Sequence, residues 1–154
     1  MNDFQKEVKD RIASNARDER LKSDAAAFMR SSIASQYSYN FSWLGRPIIQ
    51  YPQDMIAMQE LIWSIQPDLI IETGIAHGGS LIFSASMLEL NAACGGPQDA
   101  SVLGVDIDIR PHNRQAIEAH PLYRRIEMIQ GSSVAPEVVG QRSEERRVGK
   151  ECLP

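Results

Sequence analysis

The sequence predicts an α/β fold of Rossmann-like type, a parallel sheet preceded by a helical arm. Three observations carry this. Asp68–Ser80 reads DLIIETGIAHGGS, a β-branched apolar run with a polar end, as in a strand buried on both faces. Glycines follow at 74, 78 and 79, where the backbone can turn tightly and approach a ligand, and then a helix begins. Ser101–Ile107 (SVLGVDI) and Arg125–Gln130 (RIEMIQ) supply two further strands. Strands alternating with helical stretches in this way build a parallel sheet.

In chain order, residues 2–35 form the arm. Phe4, Val8, Ile12, Leu21, Ala25, Phe28, Met29 and Ile33 recur at three- and four-residue spacing between charges, an amphipathic surface for packing or self-association. Tyr37–Pro52 is aromatic-rich and broken by Gly45, Pro47 and Pro52, too irregular for a helix. Such a segment lines a site or plugs an apolar surface. Pro52 starts the next helix with Asp54 in its first turn. Its stripe of Met55, Met58, Ile62 and Ile65 is read as core, and Pro67 marks its stop. Ser80 is placed as the cap of a helix over 81–90. A loop over 91–100 leads to the second strand. Arg110–His120 is a helix with Pro111 in its first turn, and Val134–Val139 opens another after the turn Gly131-Ser132-Ser133.

Composition bounds the function. The 154 residues suffice for one domain with a core. A net charge of −4 and the lack of a basic, aromatic-interleaved stripe argue against nucleic acid. No apolar run approaches the roughly 18 residues of a membrane span. The N-terminus has no signal-peptide h-region. Cys94 and Cys152 match neither a metal site nor a disulfide framework. A cytoplasmic protein is expected.

Spacing narrows the ligand. A P-loop would need Lys at 79, which is Gly, and a dinucleotide fingerprint would need Gly at 76, which is Ala. Asp106 stands where a doubly wound sheet offers an acid to ribose hydroxyls, but too far from Gly74 for the dinucleotide pattern. Asp106 and Asp108 are set aside as a metal pair on the ground that strand alternation parts them. His77 is in the loop and is read as solvated. His77, His112 and His120 form no acid/base constellation.

Glu72, two residues before Gly74, followed by G-x-x-x-G-G, resembles motif I of class I S-adenosylmethionine (SAM) methyltransferases. A more specific resemblance runs through Trp43-Leu44-Gly45-Arg46-Pro47, Gln50–Asp54, Gln59-Glu60, Pro67–Ser80 and Val105–Asp108. These look like the cephalosporin hydroxylase family, also called rhamnosyl O-methyltransferases, over about residues 35–140. The resemblance implies a SAM methyltransferase fold and O-methylation in antibiotic, glycolipid or polysaccharide biosynthesis. It implies SAM contacts at Glu72, Gly74, Gly78, Gly79 and Ser80, with Ala76 and His77 in the same loop. Asp106, with Ile107 beside it, would meet the ribose, and Ser132 would lie near the adenine. It also implies a divalent metal, Mg-like, whose acids belong to fourth and fifth strands without counterparts in this sequence.

Arg142–Cys152 (RSEERRVGKEC) resembles a translated sequencing adapter. The organisation expected is therefore an arm over 1–36, a partial SAM-binding domain over 37–141 truncated after about the third strand, and a non-native tail over 142–154. Catalytic residues are not assigned. The first strand would keep an unpaired edge. The partner is a small-molecule, sugar or lipid-linked glycan acceptor, and the arm points to a homo-oligomer. Two other readings stand beside this one: a non-catalytic SAM-binding or interaction module, and an NAD-dependent oxidoreductase.

Overall fold

A computed structural model describes residues 3–140, which fall into two compact units divided between Ser38 and Tyr39. The arm, expected as one helical stretch, is two helices, α1 (Asp3–Asn15) and α2 (Glu19–Ala34). Asp18 makes the break. Its backbone is extended and its carboxylate accepts from Leu21 N at 3.0 Å, satisfying a donor that the new helix leaves free. The periodic apolar residues Phe4, Ile12, Leu21, Phe28, Met29 and Ile33 are exposed.

In the second unit the aromatic segment forms no α-helix before Pro52, as expected, but carries a short hairpin. After a 3-10 turn (Tyr37–Asn40), β1 (Phe41–Trp43) and β2 (Arg46–Ile48) pair antiparallel, Phe41 opposite Ile48 and Trp43 opposite Arg46. Leu44 and Gly45 join them with φ of 44° and 84°, the two positive angles of a tight primed turn.

α3 (Pro52–Ile65) begins with proline and carries Asp54 in its first turn, as expected. Its stripe is narrower than the sequence implies. Ile62 is buried and Met55 half-buried, whereas Met58 and Ile65 are exposed. At 3.6 residues per turn those two sit roughly 60–80° round the helix from Met55, off its inward face.

The sheet is parallel, in the order β3 (Leu69–Thr73), β4 (Ser101–Asp106), β5 (Ile126–Gln130), with Ile71 opposite Leu103 and Gly104 opposite Met128. The strand buried on both faces is β4, where Val102 and Leu103 are fully enclosed. The same expectation for 69–71 fails, since β3 is an edge of the described sheet and Ile71 is 43% exposed. An edge strand has a neighbour, and that neighbour's covering helix, on one side alone.

Helix α4 (Gly79–Ala93) is the centre of the core, with Leu81, Ile82, Phe83, Ala85 and Leu88 buried. The β1–β2 hairpin lies on it. Trp43 meets Phe83 edge-on at 5.1 Å between ring centroids and donates its indole N–H to Ser86 Oγ at 3.0 Å. Covering an apolar helix is thus what the aromatic segment does. α5 (Pro111–Glu118) leads through a 3-10 turn (Pro121–Arg125) into β5. Arg125, expected to open that strand, instead donates to the Ala100 and Gln98 carbonyls at 2.7 and 2.9 Å and to Glu89 at 2.6 Å. The next helix starts at Pro136 rather than Val134. The stretch 142–154 lies outside the described residues. Among those described, no helix is long and apolar enough to cross a membrane.

Candidate cofactor site

The site is built where β3, β4 and β5 end. The Gly74 N–H still donates to Val105 O at 2.8 Å, extending the ladder by one residue past Thr73. The chain then turns through left-handed backbone at Gly74 (φ 87°), Ala76 (46°) and Gly78 (82°), closed by Gly78 N donating to Ile75 O at 2.8 Å. Gly78 is the N-cap of α4. Ser80, expected in that role, is inside the first turn, and its hydroxyl donates back to Glu72 Oε1. A glycine takes the cap because the left-handed φ there disfavours any residue with a Cβ.

Three glycines expected to face a ligand differ in what surrounds them. At Gly74 an added Cβ would meet nothing, so this is the open position. At Gly78 it would run into the side chain of Ile117, and at Gly79 into the Pro47 carbonyl and Ile48 Cβ. Those two glycines let α5 and the hairpin pack close against the loop.

Asp106, the last residue of β4, holds the loop. Oδ2 accepts from Ile75 N at 2.6 Å and Ala76 N at 3.4 Å, and Oδ1 from Asp108 N at 3.1 Å. Partial burial pushes its pKa up, but the N–H groups of Asp108, Ile75, Ala76 and Ile107 outweigh that and hold it below the ordinary aspartate range. Residues i and i+2 of a strand share a face, so alternation is no ground for parting Asp106 from Asp108. The chain turns after Asp106 and brings the Asp108 amide back onto its carboxylate. Among the described residues, no group of three or more His, Cys, Asp or Glu could hold a metal ion.

A cleft of about 280 Å³ is lined by Thr73, Gly74, Val105, Asp106, Ile107, Gly131, Ser132 and Ser133. It brings together Gly74, Asp106, Ile107 and Ser132 of the expected set. Glu72, Ala76, His77, Gly78, Gly79 and Ser80 do not line it. Glu72 and Ser80 bond each other beside it, and the others belong to the loop wall.

Two residues went unassigned in the sequence. Arg46 donates to His77 O from Nε at 3.0 Å and Nη2 at 2.5 Å, and from Nη2 to Asn113 Oδ1 at 3.2 Å. Asn113, 4% exposed, donates from Nδ2 to Ala76 O at 2.9 Å. A cation inside an aromatic segment was a signal for Arg46; Asn113 gave none. His77 thus contributes its carbonyl. His120 is elsewhere: Nδ1 accepts from Leu122 N at 3.2 Å, which leaves Nε2–H to donate to Leu44 O at 3.1 Å.

Burial raises Glu72 from 4.5 to about 6, against the lowering effect of the Ser80 hydroxyl. A raised folded-state pKa adds stability that is full below 4.5 and is lost as pH rises through about 6. Glu72→Gln should match the wild type at pH 4 and exceed it at pH 8 by about 1–2 kcal/mol, read by urea unfolding at both values. A difference that does not change with pH would remove burial as the cause.

No curated protein matches the chain significantly. Among solved structures, CmcI with SAH (S-adenosylhomocysteine) is 23% identical, the match covering 60% of this chain and 43% of that one, with a TM-score of 0.44. An apo structure of CmcI is 22% identical over 67% of this chain and 40% of its own, TM-score 0.48. CmcI with Mg and SAM gives 22%, 66%, 40% and 0.48. The chain therefore spans about two fifths of the length of these structures. Residues 35–153 match a protein family described as Rhamnosyl O-methyltransferase/CmcI. With that match over most of its length, the chain belongs to the Rhamnosyl O-methyltransferase/CmcI family.

Proposed function

We propose that this chain carries the cofactor-binding part of a SAM-dependent O-methyltransferase acting on a hydroxyl of a sugar, glycolipid or secondary metabolite. Family membership supports the reaction class. One observation carries the cofactor: open Gly74, ionised Asp106 and Ser132 share one cleft at the carboxyl ends of three parallel strands, where open α/β sheets bind ligands. When bound, SAM would supply a methyl carbon to a hydroxyl oxygen: the C–O bond forms as the C–S bond breaks, S-adenosylhomocysteine leaves and the hydroxyl proton passes to solvent.

Each residue has a task that its chemistry fits. Gly74 admits the methionine portion without a Cβ in the way. Asp106, kept ionised by backbone donors, offers its remaining acceptor capacity to ribose hydroxyls. Ile107, 75% exposed, and Ser132 offer an apolar surface and a hydroxyl to the adenine. A divalent metal, which the family resemblance implies, does not fit the described residues.

Titration calorimetry of the 154-residue chain with SAH, and separately with NADH, tests the reading. Saturable binding of SAH without binding of NADH is expected. NADH binding in its place would overturn the methyltransferase assignment in favour of an oxidoreductase.

A further inference from the structure

We propose that Arg46 and Asn113 are positioning residues for the cofactor loop, a clamp reaching it from β2 and α5. The loop's polar backbone groups are held from three elements. Asp106 takes the amides of Ile75 and Ala76, Asn113 the carbonyl of Ala76, and Arg46 the carbonyl of His77. The Ala76 residue is therefore gripped at both its N–H and its C=O, in a left-handed conformation (φ 46°) that disfavours a residue with a Cβ. Such a conformation persists where its surroundings over-determine it.

The geometry of the clamp is specific. Arg46 presents two donors of its planar fork to one carbonyl, which a lysine ammonium cannot reproduce in the same way. The Asn113 amide has its orientation fixed by its partners, Oδ1 facing the Arg46 cation and Nδ2 the Ala76 carbonyl. Packing reinforces it: Ile117 of α5 closes on Gly78, and Pro47 and Ile48 of β2 close on Gly79. The hairpin thus acts on the cofactor through the loop, without lining the cleft itself. For the identity of the ligand this rests on the methyltransferase reading; for the loop it rests on geometry alone.

The test uses the full chain as wild type, Arg46→Ala, Arg46→Lys and Asn113→Asp. The last keeps the shape and the acceptor for Arg46 but has no donor for Ala76 O. Hydrogen exchange across 72–82 in the absence of ligand should speed up in Arg46→Ala and Asn113→Asp while β4 is unchanged. SAH affinity should fall about tenfold in both, the scale of one lost hydrogen bond to a charged or buried group, with Arg46→Lys between them and the wild type. Arg46→Lys should keep the wild-type melting temperature, so its loss of affinity cannot be general unfolding. Wild-type exchange in the variants overturns the clamp. Faster exchange with unchanged SAH affinity overturns its role in positioning. If the wild type itself does not bind SAH, the methyltransferase reading fails, and the exchange contrast decides the clamp by itself.

Discussion

Asp106→Ala lowers the free energy of unfolding by about 2–6 kcal/mol and removes measurable SAH binding. The stability loss has two sources. Ile75 is 2% exposed, and its N–H, now 2.6 Å from Oδ2, loses its acceptor without gaining water. A buried donor left unsatisfied costs about 1–3 kcal/mol. The amides of Ala76 and Asp108 are in exposed residues and recover solvent, so each adds only the net worth of a hydrogen bond, about 0.5–1.5 kcal/mol. Asp106→Asn keeps one carbonyl oxygen and should lose about half as much. The pH dependence has a definite sign. A carboxylate held below its ordinary range adds stability that is present above the unfolded-state value and is lost as pH falls through the folded-state one. The gap between wild type and Asp106→Asn should therefore narrow in acid. Urea denaturation of all three proteins at neutral and acid pH measures this, and a gap that widens in acid would contradict it.

Gly78→Ala should be destabilising by about 3 kcal/mol, from two costs that can be separated. A Cβ at φ 82° is strained by about 1–2 kcal/mol. The same Cβ overlaps the side chain of Ile117, which is fully buried and must move within a packed core, at about 1–3 kcal/mol. Ile117→Ala removes both atoms that are struck, Cγ1 and Cδ1, and by itself costs about 2–5 kcal/mol. In the double variant the overlap is relieved while the φ strain remains. The two substitutions should therefore be less damaging together than the sum of their separate effects. Strict additivity in a double-mutant cycle would show that Ile117 is not what Gly78 makes room for.

Much of this architecture was legible because its signals are local. The run Leu69–Ile71, the polar end at Glu72 and Thr73, and the glycines after it fix a strand and a turn within a dozen residues. Pro52 and Pro111 sit at the starts of α3 and α5, where a missing N–H costs nothing. The hairpin was illegible for a physical reason: its strands are three residues long, one contains Pro47, and the first turn residue is Leu44, which rarely takes a positive φ. The break at Asp18 hid inside a periodicity that continues on either side of it. Which strand is central depends on pairing, so 69–71 and 102–105 could not be ranked by their apolar character. That Gly74 and Asp106 would come together at one sheet end was legible because motif and strand end mark them. Arg46 and Asn113 act across 31 and 37 residues of chain, beyond the reach of any local pattern.

That separation bears on how the segment Glu72–Ser80 behaves outside its own protein. A graft of those nine residues between a strand and a helix of another α/β scaffold would carry the glycines but leave behind the groups that hold Ala76 and His77. The peptide would relax toward ordinary right-handed or extended backbone at Ala76. The transferable unit is the segment together with an acid at the neighbouring strand end, an amide on the following helix and a guanidinium from the hairpin. A designer borrowing this loop has to borrow four pieces of chain.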